Sequence, residues 1–328
     1  MRLSSTRIAI VSLTVLLGLS TTDASRGSDR PARHPETLVI LSSTDVKGMM
    51  APCGCHVPKG GLARRASFAD SMRAAYDRVL LVDDGGFFPN GQYRPGDQVP
   101  GEAAYRDQAI FQMDAMKRIG VDAVGVGDRE LRFGLSYLRE NAKSRKLDLV
   151  CANLMNRGGR TPALPPFLIR SVGPVKVGVF GLMSDQGDLG PSHDSLAVEE
   201  PGAAARRTVA ELKRRGATVI VLLSQLGKVE SEDLVNAVDG IDAVVIGRAV
   251  PLLQRGRLIK HTVACYGGEQ GHYIGVTRLT LDARNRVTSG DNETFMLGPD
   301  VVDRPDILQM VKTFQDSLDA KQHKTDKG

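Results

Sequence analysis

The sequence predicts an α/β fold built on a mixed sheet or on two packed mixed sheets, in one domain. Three observations carry that reading. From residue 37 onward, short apolar runs alternate with longer amphipathic segments, the pattern of strand followed by helix. Several of the runs end in polar, Gly-containing loops, and strand-end loops are where an open α/β sheet places its chemistry. Hairpin signals then gather in the second half, so the sheets are not purely parallel.

Taken in order, residues 37–43 read as a buried strand and 63–76 as an amphipathic helix. A second strand is expected at 79–82, running into Asp83-Asp-Gly-Gly86. Residues 102–119 are amphipathic and stop at Gly120, a usual helix terminator. Strands follow at 122–126, ending in Gly127-Asp-Arg-Glu130, and at 147–152, with a helix at 134–142 between them. Residues 167–170 and 175–180 flank Ser171-Val-Gly-Pro174 and predict a hairpin. Alternation resumes with helix 203–215, strand 217–223 before Ser224-Gln-Leu-Gly227, helix 231–238 and strand 243–246 before Gly247-Arg-Ala-Val250. Three β-rich stretches (257–266, 272–281, 293–297) precede a closing helix at 305–320 and a charged tail of disordered composition.

The first 25 residues stand apart. Arg2 and Arg7 precede an apolar stretch at 8–19, and Thr22-Asp-Ala24 offers small residues for cleavage, which together predict a secretory signal peptide. The apolar stretch is short for a membrane span. Residues 26–36 are polar, with two prolines, and read as a linker. That leaves 37–297 as the domain and 298–328 as a terminal helix with its tail. A periplasmic or secreted protein is expected, with no membrane attachment once the signal is cleaved.

At 328 residues and 41% hydrophobic, the chain can bury a large core. The net charge of +5 is modest and spread along the sequence. Arg64-Arg65, Arg206-Arg207 and Lys213-Arg-Arg215 sit at helical spacing and read as solvated faces. No aromatic interleaving accompanies them, so nucleic acid is not an expected partner.

The loop 44–62 (T-D-V-K-G-M-M-A-P-C-G-C-H-V-P-K-G-G-L) carries more chemistry than any other stretch. Cys53 and Cys55 are separated only by Gly54 and followed by His56. Three roles stay open for them. A disulfide to Cys151 or Cys265 would tie the loop down. Cys53, Cys55 and His56, with Cys265 as a fourth donor, would suit a soft metal. A strained Cys53–Cys55 bridge would serve thiol redox chemistry. Cys151, in an apolar run, reads as a small buried hydrophobe.

Together the strand-end loops resemble the catalytic domain of the calcineurin-like metallophosphoesterases, and most closely the N-terminal domain of the 5′-nucleotidase family. That family reads D-x-H-G, G-G-x-A-R, L-D-x-G-D, G-N-H-E, S-A-N, S-H-L-G, G-G-H-x-H and A-G-x-x-G-x-x-x-G. In the same order this chain has Asp45-Val-Lys-Gly48, Gly60-Gly-Leu-Ala-Arg64, Val82-Asp-Asp-Gly-Gly86, Gly127-Asp-Arg-Glu130, Cys151-Ala-Asn153, Ser224-Gln-Leu-Gly227, Ile246-Gly-Arg-Ala-Val250 and Gly267-Gly-Glu-Gln-Gly271. The resemblance implies a four-layer αββα sandwich of two mixed sheets. It also implies hydrolysis of phosphate esters by a water bridging two divalent metals.

Matched residue by residue, most of the implied ligands are replaced. Asp45 stands at the first ligating aspartate, and Lys47 replaces the histidine two residues on. Gly86 replaces the bridging aspartate, Asp128 the asparagine and Arg129 the catalytic histidine. Gln225, Arg248 and Val250 replace the late histidines. Lysine, arginine and glycine offer a cation no ligand, so no dinuclear centre is expected. Lys47, Arg129 and Arg248 are instead expected to take the place of the ions, either as a salt-bridged network or as an anion pocket for a phosphate-containing small molecule. The alternatives are an active phosphoric ester hydrolase with one divalent metal on Asp45, Asp83 and Asp128, in which Asp128 and Arg129 are catalytic, and a protein centred on the cysteine loop. The family's C-terminal nucleoside-gripping domain is not expected within these residues.

Overall fold

Two six-stranded mixed sheets face each other across an apolar interior. The computed structural model describes residues 34–89, 102–158 and 161–325, with side chains described as far as residue 321. The expected signal peptide (1–25), residues 26–33 of the expected linker and the last three residues of the tail lie outside these residues.

In chain order the first half supplies β1 (Thr37–Ser43), β2 (Val79–Asp83), β3 (Ala123–Gly125), β4 (Leu149–Val150) and β5 (Leu154–Asn156). The hairpin β6 (Phe167–Val172) and β7 (Val175–Met183) follows, then β8 (Leu196–Val198). The second half supplies β9 (Val219–Gln225), β10 (Ala243–Ile246), β11 (Arg257–Ile259), β12 (Thr262–Tyr266), β13 (Tyr273–Leu281) and β14 (Val287–Met296). The helices are α1 (Leu62–Ala75), α2 (Glu102–Ile119), α3 (Leu135–Arg145), α4 (Pro201–Arg214), α5 (Lys228–Ala237) and α6 (Pro305–Thr325).

The first sheet runs β14-β13-β1-β2-β3-β4 and the second β11-β12-β10-β9-β7-β6. Each has four parallel strands at its heart: β1 to β4 in the first, and β7, β9, β10 and β12 in the second. Antiparallel strands close both edges of the second sheet and one edge of the first, whose other edge is the parallel strand β4. β5 and β8 form a small separate ribbon.

The alternation of side chains along a strand explains the layering. Leu38, Ile40, Leu80 and Val82 point inward from the first sheet, and meet Val177, Val179, Val219 and Val221 of the second. Their neighbours Val39, Leu41 and Leu81 face outward, onto Phe111, Ile119 and Ile307 of the helices. In the second sheet Phe180, Ile220 and Leu222 face outward, onto Ala204, Leu212 and Leu234. Burying each such side chain contributes about 1.5–3 kcal/mol before entropy is counted. The result is the four-layer αββα sandwich.

Some boundaries differ from expectation. β14 begins at Val287, not 293, because its first half (V-T-S-G-D-N) is a polar edge strand held by pairing with β13 and not by an apolar pattern. α6 continues to Thr325, packing Ile307 and Val311 inward and stacking Phe314 on Phe111 at 4.3 Å. Arg64 and Arg65 are not a solvated face: they are 9% and 3% exposed in the first turn of α1. Arg64 donates to the Pro58 and Leu297 carbonyls, and Arg65 to Asp83. Those acceptors offset the unfavourable placing of cations at a helix N-terminus. Among the described residues no helix is long and apolar enough to cross a membrane.

Candidate functional site

The parallel strands of both sheets end on one face, and their loops bring the acidic and basic residues together. The backbone there is strained. Asp45, Lys47, Arg248, Ala249 and Gln270 all have positive φ (49°, 54°, 70°, 60° and 59°), a region that non-glycine residues rarely occupy. Cross-loop hydrogen bonds hold it: Asp45 N–H to Gly85 O (2.9 Å), Lys47 N–H to Gly86 O (2.9 Å) and Gln270 N–H to Asp45 O (2.7 Å).

Asp45 is 2% exposed. Its Oδ2 accepts from the backbone N–H groups of Arg248 (2.8 Å) and Ala249 (3.2 Å), so a loop of the second sheet caps a carboxylate of the first. Burial raises its pKa, against those N–H groups and the charges of Lys47 and Arg129. Asp84, fully buried, accepts at 3.3 Å from both Thr44 Oγ1 and Gln225 Nε2, while its Oδ1 has no hydrogen-bond donor. Burial, followed by the charges of Asp45 and Asp83, holds Asp84 well above the usual carboxylate range and favours its neutral form.

Asp83 points the other way, as adjacent strand residues must. Its Oδ2 accepts from Ser43 Oγ (2.7 Å) and Arg65 (3.0 Å), forming a buried ion pair beneath α1. Asp83 therefore does not join Asp45 and Asp128. Asp84 is the acid turned toward Asp45, and the sequence reading missed it; the period-2 alternation at the end of β2 was the signal available. Glu130 was missed as well. Buried completely, its two oxygens accept from four backbone N–H groups, those of Phe87 (2.8 Å), Gly127 (2.9 Å), Gly86 (3.1 Å) and Phe88 (3.3 Å). It ties the β2 and β3 loops together, and burial pushes its pKa up to about 7 despite those donors.

The cations are gathered unequally. Arg248 Nε lies 4.0 Å from Asp128 Oδ2, and its Nη2 donates to the Gln186 carbonyl at 3.4 Å. Arg129 follows Asp128 and, with Arg132 and Asp188, lines a cleft of about 390 Å³. Lys47 pairs with Glu269 at the rim. Gln225, at the end of β9, is 2% exposed and bridges the sheets through Thr44 and Asp84. Asn153 spans the Met183 peptide, accepting from its N–H (3.0 Å) and donating to its carbonyl (2.7 Å), which makes it a strap between strand ends.

The cysteines separate into two settings. All four are thiols, so none of the expected disulfides to Cys151 or Cys265 is formed. Cys151 is fully buried in the core, where burial pushes its pKa up to about 11. Cys265 is buried on β12 with its Sγ 3.4 Å from Ser42 Oγ of β1. That position, between the two sheets, is not one from which it completes a site with the loop. Cys53 is 2% exposed, whereas Cys55 and His56 lie on the exposed tip of the same loop.

Two facing mixed sheets with polar strand-end loops on one face define a four-layer αββα sandwich with its candidate site at the strand ends. No family profile matches the chain. It is 24% identical over 265 residues to the 2′,3′-cyclic-nucleotide 2′-phosphodiesterase/3′-nucleotidase of Haemophilus influenzae, covering 73% of this chain and 39% of that one. It is 25% identical over 308 residues to the snake venom 5′-nucleotidase of Naja atra, covering 82% and 55%. The 5′-nucleotidase precursor of Thermus thermophilus superposes with a TM-score of 0.73 at 21% identity, over 87% of this chain and 59% of that one. At that identity the superposition establishes the fold. The chain has the fold of the calcineurin-like metallophosphoesterase superfamily, and spans between two fifths and just over half the length of these two curated relatives.

The donors at the strand ends do not match the dinuclear centre that this superfamily implies. Where a bridging carboxylate would stand, a Cβ on Gly86 would lie 2.3 Å from Asp45 Oδ1, at a φ of +70°. Asp45 Oδ2 is already occupied by two N–H groups, and Asp83 by Ser43 and Arg65. Among the described residues no three His, Cys, Asp or Glu side chains gather closely enough to hold an ion.

Proposed function

We propose that the chain is an exported phosphoesterase-fold domain that binds a phosphate-containing small molecule at fixed cationic side chains, in place of a dinuclear metal centre. One observation carries the reading: Arg248 Nε comes within 4.0 Å of Asp128 Oδ2, and Asp128 lines a cleft with Arg129, Arg132 and Asp188. Guanidinium forks suit phosphate oxygens, and partial burial strengthens such contacts. In this reading Arg129 and Arg248 grip the anion and Asp128 orients Arg248. The N–H cap on Asp45 fixes the turn that presents Arg248, and Lys47 contributes charge from the rim. The relatives are named for nucleotide hydrolysis, so nucleoside phosphates are the first class of ligand to try.

The test is calorimetry on chelator-treated protein with inorganic phosphate and a nucleoside monophosphate, alongside an assay with p-nitrophenyl phosphate. Binding without metal, weakened at least about ten-fold by Arg248→Ala or Arg129→Ala (about 1.4 kcal/mol), with no turnover, supports the proposal. Turnover that appears with added manganese overturns it in favour of a phosphoric ester hydrolase with an atypical metal site.

A further inference from the structure

The loop between β1 and α1 is anchored at its base and open at its tip. Cys53 N–H donates to the Lys59 carbonyl (2.8 Å), and Lys59 N–H returns a contact to Cys53 Sγ (3.4 Å). The base is pinned again where Gly60 N–H meets the Leu297 carbonyl (2.8 Å) and Arg64 holds the Pro58 carbonyl (2.7 Å). Between these ties residues 54–58 are exposed. A Cβ on Gly54 would meet nothing within 4 Å, so the residue joining the two cysteines can bend without displacing a neighbour.

We infer that Cys53 and Cys55 form a dithiol–disulfide couple that exchanges with the disulfides of other molecules, independently of the anion site. Residues two apart in sequence have Cα atoms at most about 7 Å apart. A disulfide takes about 4.4–6.8 Å, so a bend at Gly54 suffices. The two thiols have distinct roles. Cys55, exposed, attacks one sulfur of an incoming disulfide; a mixed disulfide forms and the first thiolate leaves. Cys53, held at the anchored base, gives up its proton and attacks Cys55 Sγ, expelling the second thiolate. The pair loses two electrons and two protons, and the incoming disulfide becomes two thiols. The ring closed by a single intervening residue is small, which makes the bridge easily reduced again. Cys151 and Cys265, both 0% exposed, take no part.

The test is equilibration of the full chain across a glutathione redox series, followed by acid quenching and thiol labelling of the unfolded protein. The label count should fall from four to two in a single step, with no glutathione retained and no intermolecular dimer. Cys55→Ser, at an exposed position that does not endanger the fold, should abolish that paired step. Arg248→Ala should leave it unchanged, which separates this inference from the anion reading. A fall of one label with one glutathione bound, or no change, overturns it. So does stoichiometric zinc that blocks both thiols. Parallel arms with glutathione disulfide and a disulfide-cyclised peptide identify the source of the disulfide; reaction with neither overturns the inference.

Discussion

The first sheet delivers carboxylates to the strand-end face, and the second delivers an amide and a guanidinium. From β1, β2 and β3 come Asp45, Asp84, Asp128 and Glu130; from β9 and β10 come Gln225 and Arg248. A metal centre of the expected kind draws ligands from both sets. Here the acids are satisfied by the protein's own donors: N–H groups on Asp45, Glu130 and Asp128, and Gln225 on Asp84. Buried charges are tolerated where each one finds a donor. Asp84 Oδ1 is the exception, and burial keeps that group toward its neutral form.

The comparison breaks most visibly at Glu130. Glu130→Ala would leave four buried N–H groups without an acceptor, at about 1–3 kcal/mol each. That is on the order of the whole stability of a domain, so the expected outcome in urea denaturation is loss of cooperative folding. Arg65→Ala strands the buried Asp83 carboxylate, and should cost about 3–5 kcal/mol by the same measurement. The pH dependence comes next. Because the folded state holds the Glu130 proton more tightly than the unfolded chain, its contribution is complete below about pH 4.5 and is lost as pH rises through about 7. Unfolding free energies from urea denaturation at pH 5 and pH 8 should differ by up to about 3 kcal/mol from this group, and Glu130→Gln should flatten that slope.

Gly86→Asp sharpens the contrast between the sheets. It restores the missing carboxylate at a left-handed φ and against Asp45 Oδ1. It should destabilise the domain by about 2–3 kcal/mol without conferring manganese binding, checked by denaturation and by metal analysis. The smallest effect is expected at the rim. Lys47→Ala loses a pair with a Glu269 side chain that is 47% exposed, and should change stability by less than about 1 kcal/mol.

Much of the fold was legible in the sequence because strand and helix periods were clean: β1, α2 and β10 lie at the predicted residues. The polar half of β14 was not, since an edge strand held by pairing carries no apolar alternation. At the strand ends, motif order singled out Asp45, Asp128, Arg129 and Arg248, all of which lie on the strand-end loops, but not the directions of their side chains. Asp83 and Asp84 are adjacent, and only the pleat decides which one faces α1 and which faces Asp45. The burial of Arg64 and Arg65 was invisible for a related reason: their acceptors come from residues 58, 83 and 297, two of them distant in sequence.

Phosphate titration by calorimetry, first on chelator-treated protein and then with added manganese, bears most directly on whether fixed cations stand in for ions. Binding of one phosphate in the chelated protein, unchanged by manganese and lost in the Arg129→Ala/Arg248→Ala double variant, is the predicted result. Phosphate bound only after two equivalents of manganese are taken up would contradict it.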